Sequence, residues 1–124
     1  MSRSGPKAAK PAYHHGDLRR ALTEAAWELV REHGLDALTL REVARKVGVT
    51  HAAPYHHFES REALLDALAE EAFGALASAM EAVSLRERDP VDRLMAVGRA
   101  YIDFGRAHPE RLQVMFRRRP GPPV

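Results

Sequence analysis

Cysteine is absent from the 124 residues. That excludes a disulfide framework and any thiolate metal site. Aromatic residues make up only 6%, and alanine and leucine dominate, a balance that favours helix over sheet. No run of 18 apolar residues occurs, so no segment is expected to span a membrane. The N-terminus has no apolar stretch and does not read as a signal peptide. Nothing in the sequence suggests secretion, and a cytoplasmic location is expected. Also missing are paired carboxylates, a Ser-His-Asp arrangement and a glycine-rich phosphate loop, so the chain is not expected to be an enzyme or to carry a cofactor. Histidines are numerous (His14, His15, His51, His56 and His57). Neighbouring pairs point to different helix faces, however, and no i, i+4 pair encloses an acid, so no metal site is expected.

What the sequence does contain is helix after helix. The net charge is only +2 but is unevenly spread. Residues 1–12 carry Arg3, Lys7 and Lys10 without an acid, residues 117–124 begin with three arginines, and residues 63–116 hold six basic and nine acidic side chains. The first 12 residues read as a disordered basic arm, either a solubilising tail or a source of phosphate attraction. Asp17 is the expected cap of a first helix, whose stripe runs through Leu18, Ala21, Leu22, Ala25, Ala26, Leu29 and Val30. Trp27 lies off that stripe. Gly34 ends the helix.

Residues 39–42 match a capping box, with Thr39 as cap and Glu42 reaching back. Leu40, Val43, Ala44 and Val47 give the second helix its buried face, and Gly48 allows a left-handed turn. Thr50 is the expected cap of a third helix ending near Phe58. Pro54 falls in that helix's first turns, where its missing N–H predicts a tighter winding. Ser60 caps a long fourth helix reaching residue 83. Asp89-Pro90 opens a fifth, which carries Leu94, Met95, Val97, Tyr101, Ile102 and Phe104; of these Met95, Tyr101 and Phe104 are core or the lining of a ligand cavity. Gly98 and Gly105, seven residues apart, allow a close helix approach or a kink. His108-Pro109 breaks that helix and starts a sixth. Residues 117–124 are rich in proline and arginine and read as a disordered tail.

Two short capped helices around a glycine turn have the grammar of a helix-turn-helix, a device for laying one helix in the major groove of DNA. Residues 13–73 resemble the TetR/AcrR family of bacterial transcriptional regulators. The resemblance rests on the opening from Thr39 to Glu42, on Ala44, on Gly48-Val49, and on Tyr55-His56-His57-Phe58 followed by Ser60-Arg61-Glu62-Ala63-Leu64-Leu65. Tyr13 to Arg19 resembles the start of one subgroup, and residues 90–116 the start of its regulatory region.

The resemblance implies an all-α fold: a three-helix bundle with a helix-turn-helix at 13–62, then a long linking helix and an incomplete helical regulatory domain over 63–116. It implies a repressor that binds double-stranded DNA, at a palindromic operator, and answers to a small-molecule effector of unknown identity. Thr50, His51, Ala52, Tyr55 and His56 fall where the family faces DNA. Arg41, His57 and Arg61 fall at backbone-contact positions, and with Thr39 they complete the expected DNA-binding set. The family usually has lysine at position 61, with the same charge. Members are homodimers of nine or more helices, paired through the last two. This chain has about six, so a stable dimer is not expected of it. The alternative is a truncated fragment that binds DNA weakly, or pairs with a longer partner, and senses no ligand.

Overall fold

The computed structural model describes residues 15–118, all of them in helices, 3-10 turns and connecting loops. The basic arm of residues 1–12 and the end of the tail, 119–124, lie outside the described residues. Five α-helices follow one another: α1 (His15–His33), α2 (Leu40–Val47), α3 (Arg61–Ser84), α4 (Pro90–Ala107) and α5 (Pro109–Met115). Two 3-10 turns, Leu35–Ala37 and Ala53–His56, flank α2. The described residues contain no strand, and the fold is all-α, as the composition and resemblance imply. No described helix is long and apolar enough to cross a membrane.

The residues divide into two compact units, one up to Leu64 and one from Leu65. The core of the first comes from two amphipathic stripes. Leu22, Ala25, Ala26 and Val30 of α1 and Leu40, Val43 and Ala44 of α2 are buried, together with Leu38, Phe58 and Leu64. Trp27 is buried as well. The first helix already includes His15, so Asp17 sits inside its first turn and does not cap it. There its charge still favours the positive end of the helix dipole. Gly34 has φ 89° and stops α1, its N–H donating to the Val30 carbonyl at 2.8 Å. Lys46 ties α2 back to α1, with Nζ 3.3 Å from Glu28 and 3.8 Å from Glu32.

The second unit is built from the rest of α3 with α4 and α5. Asp89 caps α4, its carboxylate accepting from the N–H groups of Val91 and Asp92 at 3.0 Å each. Gly105 resolves one of the sequence alternatives. A Cβ there would lie 2.8 Å from the Leu112 side chain, so the glycine permits close approach of α5 to α4. At Gly98 a Cβ would meet nothing within 4 Å. The fifth expected helix does form, but its expected core does not. Phe104 is buried and Val97 half-buried, while Leu94, Met95 and Ile102 are well over half exposed and Tyr101 is 40% exposed. Periodicity gave α4 an apolar face, but nothing among the described residues packs on it. Arg117, expected in a free tail, is instead nearly buried. Its guanidinium donates to the Asp66 carboxylate and to the Val114 carbonyl.

Candidate nucleic-acid interface

The helix-turn-helix is assembled from local rules. Thr39, in an extended conformation, accepts the Glu42 N–H on Oγ1 at 3.0 Å and so caps α2. Among the described residues, that hydroxyl has no acceptor for its own proton. The Glu42 carboxylate, expected to reach back to the cap, lies 3.8 Å from Arg45. Gly48 adopts φ 87° and ψ 32°, the left-handed region that disfavours a Cβ. The N–H groups of Gly48 and Val49 converge on the Ala44 carbonyl at 2.9 and 3.0 Å, which closes the helix end and turns the chain.

After the turn, the third expected helix is not an α-helix. It is a single 3-10 segment, Ala53–His56, and the residue at its cap position is Ala52, with no side-chain cap. Thr50 therefore does not cap it through its hydroxyl. Its carbonyl accepts the Ala53 N–H at 3.1 Å. The reason is Pro54. An α-helix begun at Thr50 needs an N–H at position 54 to bond the Thr50 carbonyl, and proline has none. The chain winds tighter instead. Tyr55 donates to the Ala52 carbonyl at 3.1 Å, and the Pro54 carbonyl accepts from both His57 and Phe58 at 3.0 and 2.9 Å. Pro54 and Phe58 are buried and anchor the segment, and Arg19 of α1 lies over the Phe58 ring at 4.7 Å.

Anchoring by Pro54 and Phe58 decides what faces outward. With three residues per 3-10 turn, Ala52 and Tyr55 are aligned. Both are exposed, Tyr55 by 58%. Thr50, His51 and His56 are exposed and His57 is half-buried. On α2, Arg41 is exposed and makes no ion pair with any described residue. Six of the expected residues thus lie within the eight positions from Thr50 to His57, and Thr39 and Arg41 stand at the start of α2. Arg61 is placed differently from the others. Its Nε donates to the Leu38 carbonyl at 2.7 Å and its Nη2 to the Leu35 carbonyl at 2.8 Å. That contact spans 23 and 26 residues, and nothing in the local sequence marks it. Ser60 caps α3 beside it, its Oγ accepting from Ala63 N–H at 3.1 Å.

The turn offers exposed hydroxyl, imidazole and phenol donors within a few residues, a set that suits base edges and phosphate oxygens. It offers no nucleophile activated by a neighbouring base, and no three His, Asp or Glu side chains among the described residues stand together as a metal site. In the second unit an open groove of about 560 Å³ runs between the C-terminal half of α3 and α4. Ala79, Val83, Ala100 and Phe104 form its apolar part, and Arg86, Glu87, Arg99 and Asp103 bring charge of both signs to it.

Residues 22–68 match the model of bacterial regulatory proteins of the tetR family. The chain is 45% identical over 53 residues to the class D tetracycline repressor of Escherichia coli, covering 43% of this chain and 24% of that protein. It is 33% identical over 92 residues to the helix-turn-helix-type transcriptional regulator BetI of Rhizobium meliloti, covering 74% of this chain and 45% of that protein. A solved structure of a Rhodococcus protein of unknown function superposes with a TM-score of 0.74 at 46% identity, over 84% of this chain and 54% of its own. The chain thus spans between a quarter and about half of the length of these relatives.

Proposed function

We propose, from the match of residues 22–68 to the model of bacterial regulatory proteins of the tetR family, that this chain is a sequence-specific DNA-binding transcriptional regulator of that family, of repressor type, acting in the cytoplasm. Thr50, His51, Ala52, Tyr55 and His56 face the bases and nearby phosphates of an operator. Thr39, Arg41 and His57 contact the backbone. The observation that carries the reading is Tyr55, the one large apolar or aromatic side chain of the first unit that is exposed among the described residues. Its ring stands outside a well-filled core, at the tip of the turn that Gly48 and Pro54 create. A phenol there donates to a phosphate or a base acceptor. The test is a gel shift with duplex DNA from the chain's own upstream region. Retardation that weakens steeply with salt supports the reading, because each neutralised phosphate adds roughly 0.9 to the salt slope.

The reading extends to a palindromic operator and a small-molecule effector, which the family resemblance implies; a relative named as a tetracycline repressor supports the repressor type. The groove beside Phe104 is where an effector would enter. A second reading is favoured by the open face of α4: a chain that binds DNA weakly through one reading head, or pairs with a longer partner, without sensing a ligand. Mass measurement in solution separates the two, since a palindromic site needs two heads held about 34–36 Å apart.

A further inference from the structure

Arg61 is the first residue of α3 and follows the reading turn by five positions. Its side chain is 37% exposed, and two of the three guanidinium nitrogens are already engaged. Nε and Nη2 lie on one edge of the planar group, so a single side chain holds two carbonyls at once, a geometry that a lysine ammonium lacks. The third nitrogen lies 3.7 Å from the Glu62 carboxylate. The carbonyls are well chosen. That of Leu35 also accepts the Leu38 N–H at 3.1 Å, so the bond from Arg61 fixes the 3-10 turn that leads into α2. That of Leu38 belongs to a fully buried residue immediately before the Thr39 cap. Residues 38 and 61 bracket the whole helix-turn-helix: α2, the Gly48 turn and the 3-10 reading segment lie between them. One side chain therefore closes the motif at its base.

We propose that Arg61 is a positioning residue for DNA binding: it clasps the two ends of the helix-turn-helix through the Leu35 and Leu38 carbonyls and does not act by contacting a phosphate. The clasp sets the angle at which Thr39 and Arg41 on one side, and Tyr55 on the other, meet the duplex. It rests on the DNA-binding reading above. Lysine keeps the charge but not the two-pronged geometry, so Arg61→Lys separates the two roles.

The experiment uses the full chain, Arg61→Lys and Arg61→Met, each held well below its own melting temperature. Binding to a fluorescent mixed-sequence duplex is measured across a salt series, and amide exchange is followed on the free proteins. The clasp predicts that Arg61→Lys weakens binding roughly tenfold, the scale of one lost charge-assisted hydrogen bond, with an unchanged salt slope. It also predicts faster exchange at the Leu38 and Val43 amides in both variants, with Ala26 in the middle of α1 unaffected. Wild-type binding by Arg61→Lys, with unchanged exchange and a slope shallower by about 0.9 only in Arg61→Met, would identify a phosphate contact and overturn the proposal. If the unsubstituted chain binds no duplex at low salt, the DNA reading itself fails and the positioning role with it; faster exchange at Leu38 would then leave Arg61 with a purely structural part.

Discussion

The two units treat their apolar residues in opposite ways. In the first, the large apolar side chains are buried or half-buried, and Tyr55 is the single large exposed one among the described residues. In the second, Phe73, Leu85, Val91, Leu94, Met95, Tyr101, Ile102 and Phe116 are all exposed. Both units are helical and both have amphipathic helices, so the difference lies in what packs on each stripe. In the first unit, α1 and α2 cover each other, and Phe58 and Leu64 fill the remainder. In the second, α4 turns one face to α5 and leaves Val91, Leu94, Met95 and Ile102 bare. These four fall at three-, four- and seven-residue spacings on one side of the helix, a pattern that suits contact with another helix. The contrast changes the meaning of an exposed ring. Tyr55 stands out against a closed core and so reads as a contact residue. Tyr101 and Phe116 lie in a unit with many exposed apolar side chains, where Phe116 meets Phe73 edge to face at 5.7 Å.

The sharpest way to break the comparison is to cut the same side chain in each unit. Leu22→Ala removes a fully buried leucine and is expected to cost about 2–5 kcal/mol, seen as a large fall in melting temperature. Leu94→Ala removes one that is 70% exposed and is expected to change stability by under about 0.5 kcal/mol. Equal losses would mean that α4 is packed in solution and that the units are not different. The turn comes next. Gly48→Val places a β-branched residue at φ 87° and is expected to cost roughly 1–3 kcal/mol, whereas Ala53→Ser costs a few tenths. Coincident circular-dichroism melts would show that the left-handed turn is not required. The smallest effect on stability, and the clearest on behaviour, is expected from Leu94→Lys with Ile102→Lys. Breaking the bare stripe reduces non-specific self-association, measured by light scattering against concentration, with the melting temperature nearly unchanged. A discrete dimer in the parent chain that survives both substitutions would show that the stripe is not what makes it associate.

Much of the fold is legible in the sequence because it is set within a few residues. Thr39, Ser60 and Asp89 each cap the helix that follows, through oxygens placed two or three residues before the N–H groups they accept. Gly34 and Gly48 end helices at positive φ. Pro54 announces a tighter turn, although the proline converts the whole third helix to 3-10 and not only its opening. Asp17 misleads because a good capping residue is equally at home in a first turn. What the sequence cannot carry is contact at long range. The Arg61 clasp joins residues more than 20 apart, and the Asp66–Arg117 pair joins residues 51 apart. The bare face of α4 is a third example, since periodicity identifies an apolar side but not whether anything covers it. The candidate interface is legible in part: spacing and resemblance bring Thr50 to His57 together on an expected third helix, while its 3-10 winding and the outward display of Tyr55 depend on Pro54 and on the burial of Pro54 and Phe58.

The central claim is that Tyr55 is exposed in order to touch DNA. Tyr55→Phe deletes one hydroxyl and keeps the ring, so it tests that claim most directly. Duplex DNA from the upstream region is titrated with the parent and variant chains at one salt concentration, and both are melted in the same buffer. The account predicts a loss of affinity worth roughly 1–2 kcal/mol, about 5- to 30-fold, with coincident melting curves. Unchanged affinity, or a fall in melting temperature that keeps pace with the loss of binding, would contradict it.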